Sequence, residues 1–104
     1  MDKINNPLVT VGIPVFNGEK YIRKAIDSVL EQTFSNFNCV ISDNGSTDQT
    51  EIICKEYEKK DKRITYVKHE KNRGPDFNFR FVLSKAKSKY FVWLAYDDYW
   101  ESTF

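Results

Sequence analysis

Short β-branched runs alternate along the chain with segments whose apolar residues recur every three or four positions. Residues 8–13, Leu-Val-Thr-Val-Gly-Ile, lie between Pro7 and Pro14 and form the first expected strand, its ladder stopped by Pro14. Ile22, Ala25, Ile26, Val29 and Leu30 then mark one face of an amphipathic helix that lapses near Thr33. Ser35 and Asn36 supply turn chemistry, and residues 37–42 read as a second strand. A turn follows over 43–48, where Asp48 and Glu51 have the spacing of a capping box for a helix with Ile52, Ile53 and Tyr57 inward. The charges of residues 59–63 end that helix. Residues 64–67 give a third, shorter strand, and 68–74 a polar loop. Pro75 suits the first position of a third helix with a stripe of Phe79, Val82, Leu83 and Ala86. Phe77 and Phe81 lie off that stripe, so either the helix is covered on two sides or aromatic surface awaits a partner. Residues 90–95, the most apolar run, predict a buried fourth strand that delivers Asp97 and Asp98 into a loop.

Strands alternating with helical crossovers call for an α/β fold: a mostly parallel open sheet of about four strands with helices on both faces. A chain of 104 residues makes one small domain. Nothing after the fourth strand is available to cover that edge, which predicts a homo-oligomer or a further half of the domain over it.

A net charge of +1 argues against a nucleic-acid partner. The basic excess from Lys55 to Arg73 fits a solvated helix face and loop, with a phosphate or acidic-lipid contact as the sharper alternative. No apolar run reaches the roughly 20 residues of a membrane span. The first seven residues lack a signal pattern, which points to the cytoplasm, with a peripheral position at the inner membrane face as an option. Cys39 and Cys54 lack metal or redox spacing and read as buried thiols.

The phosphate-cradling G-x-x-x-x-G-K-[ST] is missing, and the first strand leads into Pro14-Val15-Phe16-Asn17-Gly18 without G-x-G-x-x-G. His69 is a lone histidine in a charged loop, with no companion for a zinc site or a triad. Three loops remain, over 14–18, 43–48 and 96–100, each at the carboxyl end of an expected parallel strand and therefore on one rim. Phe16 offers a flat face for a base, Asp43 and Asn44 offer acceptors for a base edge or ribose, and Asp97 and Asp98 could hold a divalent metal. Taken singly, Phe16 could be core, the 43–45 stretch only a turn, and the acidic pair an ordinary solvated loop.

Val11-Gly12-Ile13-Pro14-Val15-Phe16-Asn17, the Ala25 to Thr33 segment, Ile41-Ser42-Asp43-Asn44-Gly45-Ser46-Thr47-Asp48-Gln49-Thr50 and Tyr96-Asp97-Asp98 follow one another in an order that resembles the opening half of family 2 glycosyltransferases with the GT-A fold. The resemblance implies that residues 1–104 are a single partial domain, the half that binds a nucleotide-diphosphate sugar, with a UDP-sugar favoured. It assigns the nucleotide to Pro14, Phe16, Asn17, Asp43 and Asn44, the sugar or diphosphate to Asp97, and a divalent metal, Mg²⁺ or Mn²⁺, to Asp98. Two departures stand out: Asn44 occupies the place of a second Asp in many members, and Ala95 that of the first acid in a fuller D-x-D-D pattern.

By the same resemblance the reaction is inverting transfer of the sugar to the hydroxyl of a sugar or lipid-linked acceptor, in polysaccharide biosynthesis. The general base belongs to the acceptor half, and no residue here is nominated for it. The competing reading is a non-catalytic nucleotide-binding or assembly module with the same fold. A receiver-type regulatory domain fits the alternation but expects its acidic cluster nearer the first strand.

Overall fold

A computed structural model describes residues 7–32 and 35–99. Its elements run β1 (Val9–Val15), α1 (Ile22–Leu30), β2 (Phe37–Asp43), α2 (Thr50–Lys60), β3 (Ile64–Lys68), α3 (Pro75–Ser84) and β4 (Tyr90–Trp93). The sheet order is β3-β2-β1-β4 and every pairing is parallel, so the expected α/β architecture is present. The chain steps outward from β1 through β2 to β3, then returns over both to place β4 on the other side of β1. With right-handed crossovers, α1 and α2 cover one face and α3 the other.

The two faces differ in composition. Val9, Val11, Ile13 and Val15 of β1 pack with Ile22, Ala25, Ile26 and Val29 of α1, and with Cys39, Ile41, Ile53, Cys54 and Ile64. Each fully buried aliphatic side chain there contributes about 1.5–3 kcal/mol. Cys39 and Cys54 are free and buried, as expected, and burial pushes the Cys39 thiol up to about 12. The opposite face presents Thr10, Gly12, Pro14, Val40 and Ser42. It is small or polar, and α3 approaches it closely: a Cβ on Gly12 would run into Cγ1 of Val82 and lie 2.6 Å from Cζ of Phe91.

That asymmetry corrects the expected α3 stripe. Asn78 and Val82 are the buried positions of α3, whereas Phe79 and Leu83 are 43% and 52% exposed. A shallow polar sheet face accepts an amide and one valine, not a row of large apolar groups. Phe77 and Phe81 flank this contact and meet His69 edge-on, with centroids 5.0 and 4.4 Å away. In α2 the inward residues are Thr50, Ile53, Cys54 and the half-buried Tyr57, while Ile52 is exposed; the helix is rotated so that Thr50 reaches Gly18. Pro75 opens α3 as anticipated.

Other expected features also shift. Pro14 does not stop β1, which continues through it to Val15 in register with Ser42 and Asp43. The carbonyl of Gly12 bonds toward β4 and that of Val15 toward β2, so Pro14, two residues beyond Gly12, turns its missing N–H to the β4 side. The β1·β4 ladder has already ended there, at Gly12 and Trp93, so no bond is lost. β2 runs one residue further than expected and includes Asp43. β4 stops at Trp93, two residues short of Ala95, and is a largely exposed edge rather than a buried strand. Finally, the expected capping box does not form, since Gln49 and not Asp48 is the N-cap residue of α2. Asp48 Oδ1 accepts from the Thr50 N–H at 2.9 Å, but Glu51 turns to Lys55 and Lys68, each 2.8 Å away.

Candidate functional site

The direction of winding reverses between β1 and β4, and a crevice opens outside the carboxyl ends of these strands, the place where open parallel sheets bind ligands. The cleft encloses about 310 Å³. Pro14, Val15 and Phe16 form its floor and one wall. Ala95 and Tyr96 come from the end of β4, Asn44 from the end of β2, and Asn72, Pro75, Asn78 and Phe79 from the loop before α3 and its first turns. Phe16 is 38% exposed, an aromatic ring left on the rim beside a wall that is mostly apolar.

Asn44 is buried and fully committed on its amide side. Its Nδ2 donates to Oδ1 of Asn72 and to the carbonyl of Gly74, both at 2.9 Å, and its Oδ1 accepts the Arg73 N–H at 3.0 Å. One acceptor lone pair on Oδ1 is left for a ligand. Asn44 thereby also holds residues 72–74 as a wall of the cleft.

Asp43 and Asn17 are absent from the lining. Adjacent residues at the end of a strand point to opposite faces, so Asp43 lies under the sheet on the α2 side while Asn44 faces the cleft. Oδ1 of Asp43 accepts the Ser46 N–H at 2.8 Å and Oδ2 accepts the Tyr66 hydroxyl at 2.5 Å. Burial and this bond push the Tyr66 phenol well above its usual range. Asn17, at φ 51°, clasps the neighbouring loop: its N–H donates to Ser46 Oγ and its Oδ1 accepts the Thr47 N–H, both at 2.8 Å. Glu19 repeats the motif, donating its N–H to Asp48 and accepting the Gln49 N–H. The first two rim loops are one braced unit.

Asp97 and Asp98 are also absent from the lining; they follow Tyr96 in the chain, both exposed. Asp98 Oδ1 accepts the Tyr99 N–H at 2.8 Å. Among the described residues no three His, Cys, Asp or Glu side chains converge on a metal position. Two adjacent, open carboxylates fit a hard cation that completes its shell with phosphate oxygens and water, not a closed all-protein site.

Beneath the cleft runs a relay that the sequence did not single out. Ser42 Oγ donates to Oδ1 of Asn78 at 2.6 Å, and Nε2 of His69 lies 2.8 Å from the same Oγ. The serine proton is spent on Asn78, so Nε2 is the donor and His69 carries its proton there. Asn78 Nδ2 in turn donates to the carbonyls of Ser42 and Val15, tying the ends of β1 and β2 together. The rim also has a fourth loop, residues 69–74, which the same reasoning could have found: β3 is parallel too, so the loop after it must share the rim.

The family model for glycosyl transferase family 2 matches residues 10–104. An uncharacterised glycosyltransferase of Rickettsia prowazekii is 41% identical over 95 residues, covering 91% of this chain and 29% of that protein. Among solved structures, S. aureus TarS 1-349 in complex with UDP superposes with a TM-score of 0.84 at 31% identity, over 91% of this chain and 29% of that one. A mannosyltransferase from Pyrobaculum calidifontis, in complex with GDP-Man and Mn²⁺, gives a TM-score of 0.83 at 25% identity, over 92% of this chain and 29% of its own. The chain thus spans less than a third of the length of these relatives. Among the described residues no helix is long and apolar enough to cross a membrane. A parallel sheet wound 3-2-1-4, the rim motifs at its switch point and a match over nearly the whole chain lead to one assignment: the chain belongs to glycosyl transferase family 2.

Proposed function

We propose that this chain is the donor-binding half of a sugar transferase, taking a nucleotide-diphosphate sugar, with UDP-sugars favoured, in the cleft between β1 and β4. One observation carries the reading: an apolar cleft at the switch point has an aromatic ring and a buried amide acceptor on its walls, and Tyr96, which lines it, is followed in the chain by two exposed carboxylates. Phe16 stacks on the base, Pro14 shapes the floor, and the spare lone pair of Asn44 Oδ1 accepts a ring N–H such as uracil presents. Asp43 and Asn17 serve the nucleotide from behind, by fixing the turn and the loop that carry Asn44 and Phe16. Asp97 meets the sugar or diphosphate, and Asp98 holds the divalent cation, Mg²⁺ or Mn²⁺. When bound, that cation would neutralise charge developing on the departing diphosphate. The mannosyltransferase solved with GDP-Man and Mn²⁺ and TarS solved with UDP support this ligand class. Inverting transfer to an acceptor hydroxyl, its general base and the acceptor belong to the proposal for the whole protein.

Titration of the 104-residue chain with UDP, with and without Mn²⁺, tests the reading. Binding should strengthen with Mn²⁺. Asp98→Asn should remove most of that gain while sparing metal-free binding, and Phe16→Ala should weaken both. No binding by a folded chain overturns the proposal, and equal effects of Asp98→Asn on the two conditions overturn the role given to Asp98.

The exposed β4 edge, where Tyr90 is 53% and Trp93 40% exposed, favours a second reading as an assembly module. It predicts a dimer or larger species in light scattering, and a monomer that binds UDP argues against it.

A further inference from the structure

Gly18 is the point where three rim loops meet. Its N–H donates to Thr50 Oγ1 at 2.9 Å, and its carbonyl accepts the N–H groups of Tyr21 and Ile22, starting α1. Its missing side chain leaves a notch for the ring of Tyr96: a Cβ there would stand 2.7 Å from Tyr96 Cδ2 and 2.7 Å from Val15 Cγ2. Tyr96 is half-buried against the core on one side and lines the cleft on the other. The next residues are Asp97 and Asp98. Three residues past Tyr96, the ring of Tyr99 lies under Lys24 of α1, with Nζ 3.8 Å from the centroid. The acidic pair is therefore held between two aromatic anchors, the inner one seated on Gly18.

We infer that Gly18 and Tyr96 are a positioning pair that sets the distance between the acidic loop and the nucleoside wall. The inference rests on the donor-site reading above. The β1·β4 ladder ends at Gly12 and Trp93, and one further bond, from the Leu94 N–H to the Gly12 carbonyl, is the last main-chain tie between the strands. Beyond it the placement of Asp97 and Asp98 relative to Phe16 depends on side-chain packing, and the ring on Gly18 supplies it. Filling the notch displaces the ring, and the carboxylates with it; the Val15 side chain that it also meets belongs to the nucleoside wall, so a shift there acts on binding with and without metal alike.

The test reads a ratio, the UDP dissociation constant without metal divided by that with Mn²⁺, in the folded chain and its variants. Gly18→Ala should lower this ratio about tenfold, and so should Tyr96→Ala, since about an ångström of misplacement is enough to forfeit that much. Tyr96→Phe should retain it, because the ring and not the hydroxyl fills the notch. In the Tyr96→Ala background, Gly18→Ala should lower the ratio no further, since the ring it collides with is gone and its remaining clash, with Val15 Cγ2, acts on binding with and without metal alike. If Gly18→Ala does not fold, the contrast between Tyr96→Ala and Tyr96→Phe decides. A Gly18→Ala chain with an unchanged ratio, additive effects of the two alanines, or a ratio lost in Tyr96→Phe overturns the inference and leaves the donor-site reading standing. A folded parent chain that binds no UDP overturns both, and one whose UDP binding ignores Mn²⁺ overturns the inference together with the metal role given to Asp98.

Discussion

The hydroxyl of Tyr66 donates to Oδ2 of Asp43 across 2.5 Å, joining the third strand to the last residue of the second at a carboxylate with no solvent exposure. The other oxygen, Oδ1, holds the Ser46 N–H, so both ends of the group are spent on the turn that presents Asn44. Tyr66→Phe keeps the ring and leaves Oδ2 without its donor. A hydrogen bond to a carboxylate is worth about 1.5–3 kcal/mol, and the variant should lose about 2 kcal/mol of stability. Urea unfolding checks this, with a lowered midpoint and an unchanged slope as the expected result.

His69 should make stability depend on pH near neutrality. Burial against Phe77 and Phe81 lowers its pKa below the ordinary 6.5, the charge of Arg73 adds to this, and Asp43 opposes it more weakly. The unfolded chain then binds more protons than the folded one, so stability falls as pH drops below about 6.5 and levels off past the folded value. His69→Gln keeps a donor toward Ser42 without titrating. Between pH 8 and pH 5, on the order of the imidazole range, the urea midpoint of the parent should fall more than that of the variant. Glu51, held at about 2 by hydrogen bonds from Lys55 and then Lys68, titrates below this window and does not confuse the comparison.

Gly45 and Gly74 bracket the wall of the cleft and should respond differently to alanine. At Gly45, φ is 82° and a Cβ would lie 2.7–2.8 Å from the main chain of Lys71 and Asn72, which cannot yield as a side chain would. Left-handed strain of about 1–2 kcal/mol and the cost of overpacking, about 1–3 kcal/mol, then act together. Gly74, at φ 89° and ψ 158°, has no atom within 4 Å of the place a Cβ would take, so only its backbone conformation resists, at about 1–3 kcal/mol. Thermal unfolding of the two variants should therefore rank Gly45→Ala as the more damaged.

How much of this could be read from residues alone follows from what periodicity encodes. The α1 face of Ile22, Ala25, Ile26 and Val29 was legible because it packs on the aliphatic side of the sheet, where helix period and burial coincide. The α3 stripe was not, because its inward side is chosen by the partner: Gly12 and Ser42 admit Val82 and Asn78, and neither glycine nor serine announces in sequence which helix will cover it. At the site, parallel strands sufficed to bring Pro14, Phe16, Asn44 and the acidic loop to one rim. The division of labour between Asp43 and Asn44 was hidden, since it depends on which of two adjacent side chains the end of β2 turns toward Tyr66.

Asn17 gives the sharpest test of that division. The motif resemblance places it with the nucleotide, whereas its Oδ1 accepts the Thr47 N–H at 2.8 Å and its own N–H reaches Ser46 Oγ, bracing one rim loop on the next. It also holds φ at 51°, a region in which asparagine is tolerated better than alanine. Asn17→Gly removes the acceptor but relieves the backbone, and should cost about 1 kcal/mol. Asn17→Ala removes the acceptor and keeps the strain, and should cost about 2 kcal/mol or more. If the residue is a brace, both variants, measured where they are fully folded, should bind UDP within about fivefold of the parent, a difference of about 1 kcal/mol. A folded Asn17→Gly chain that loses binding by much more than that would instead put Asn17 in contact with the nucleotide.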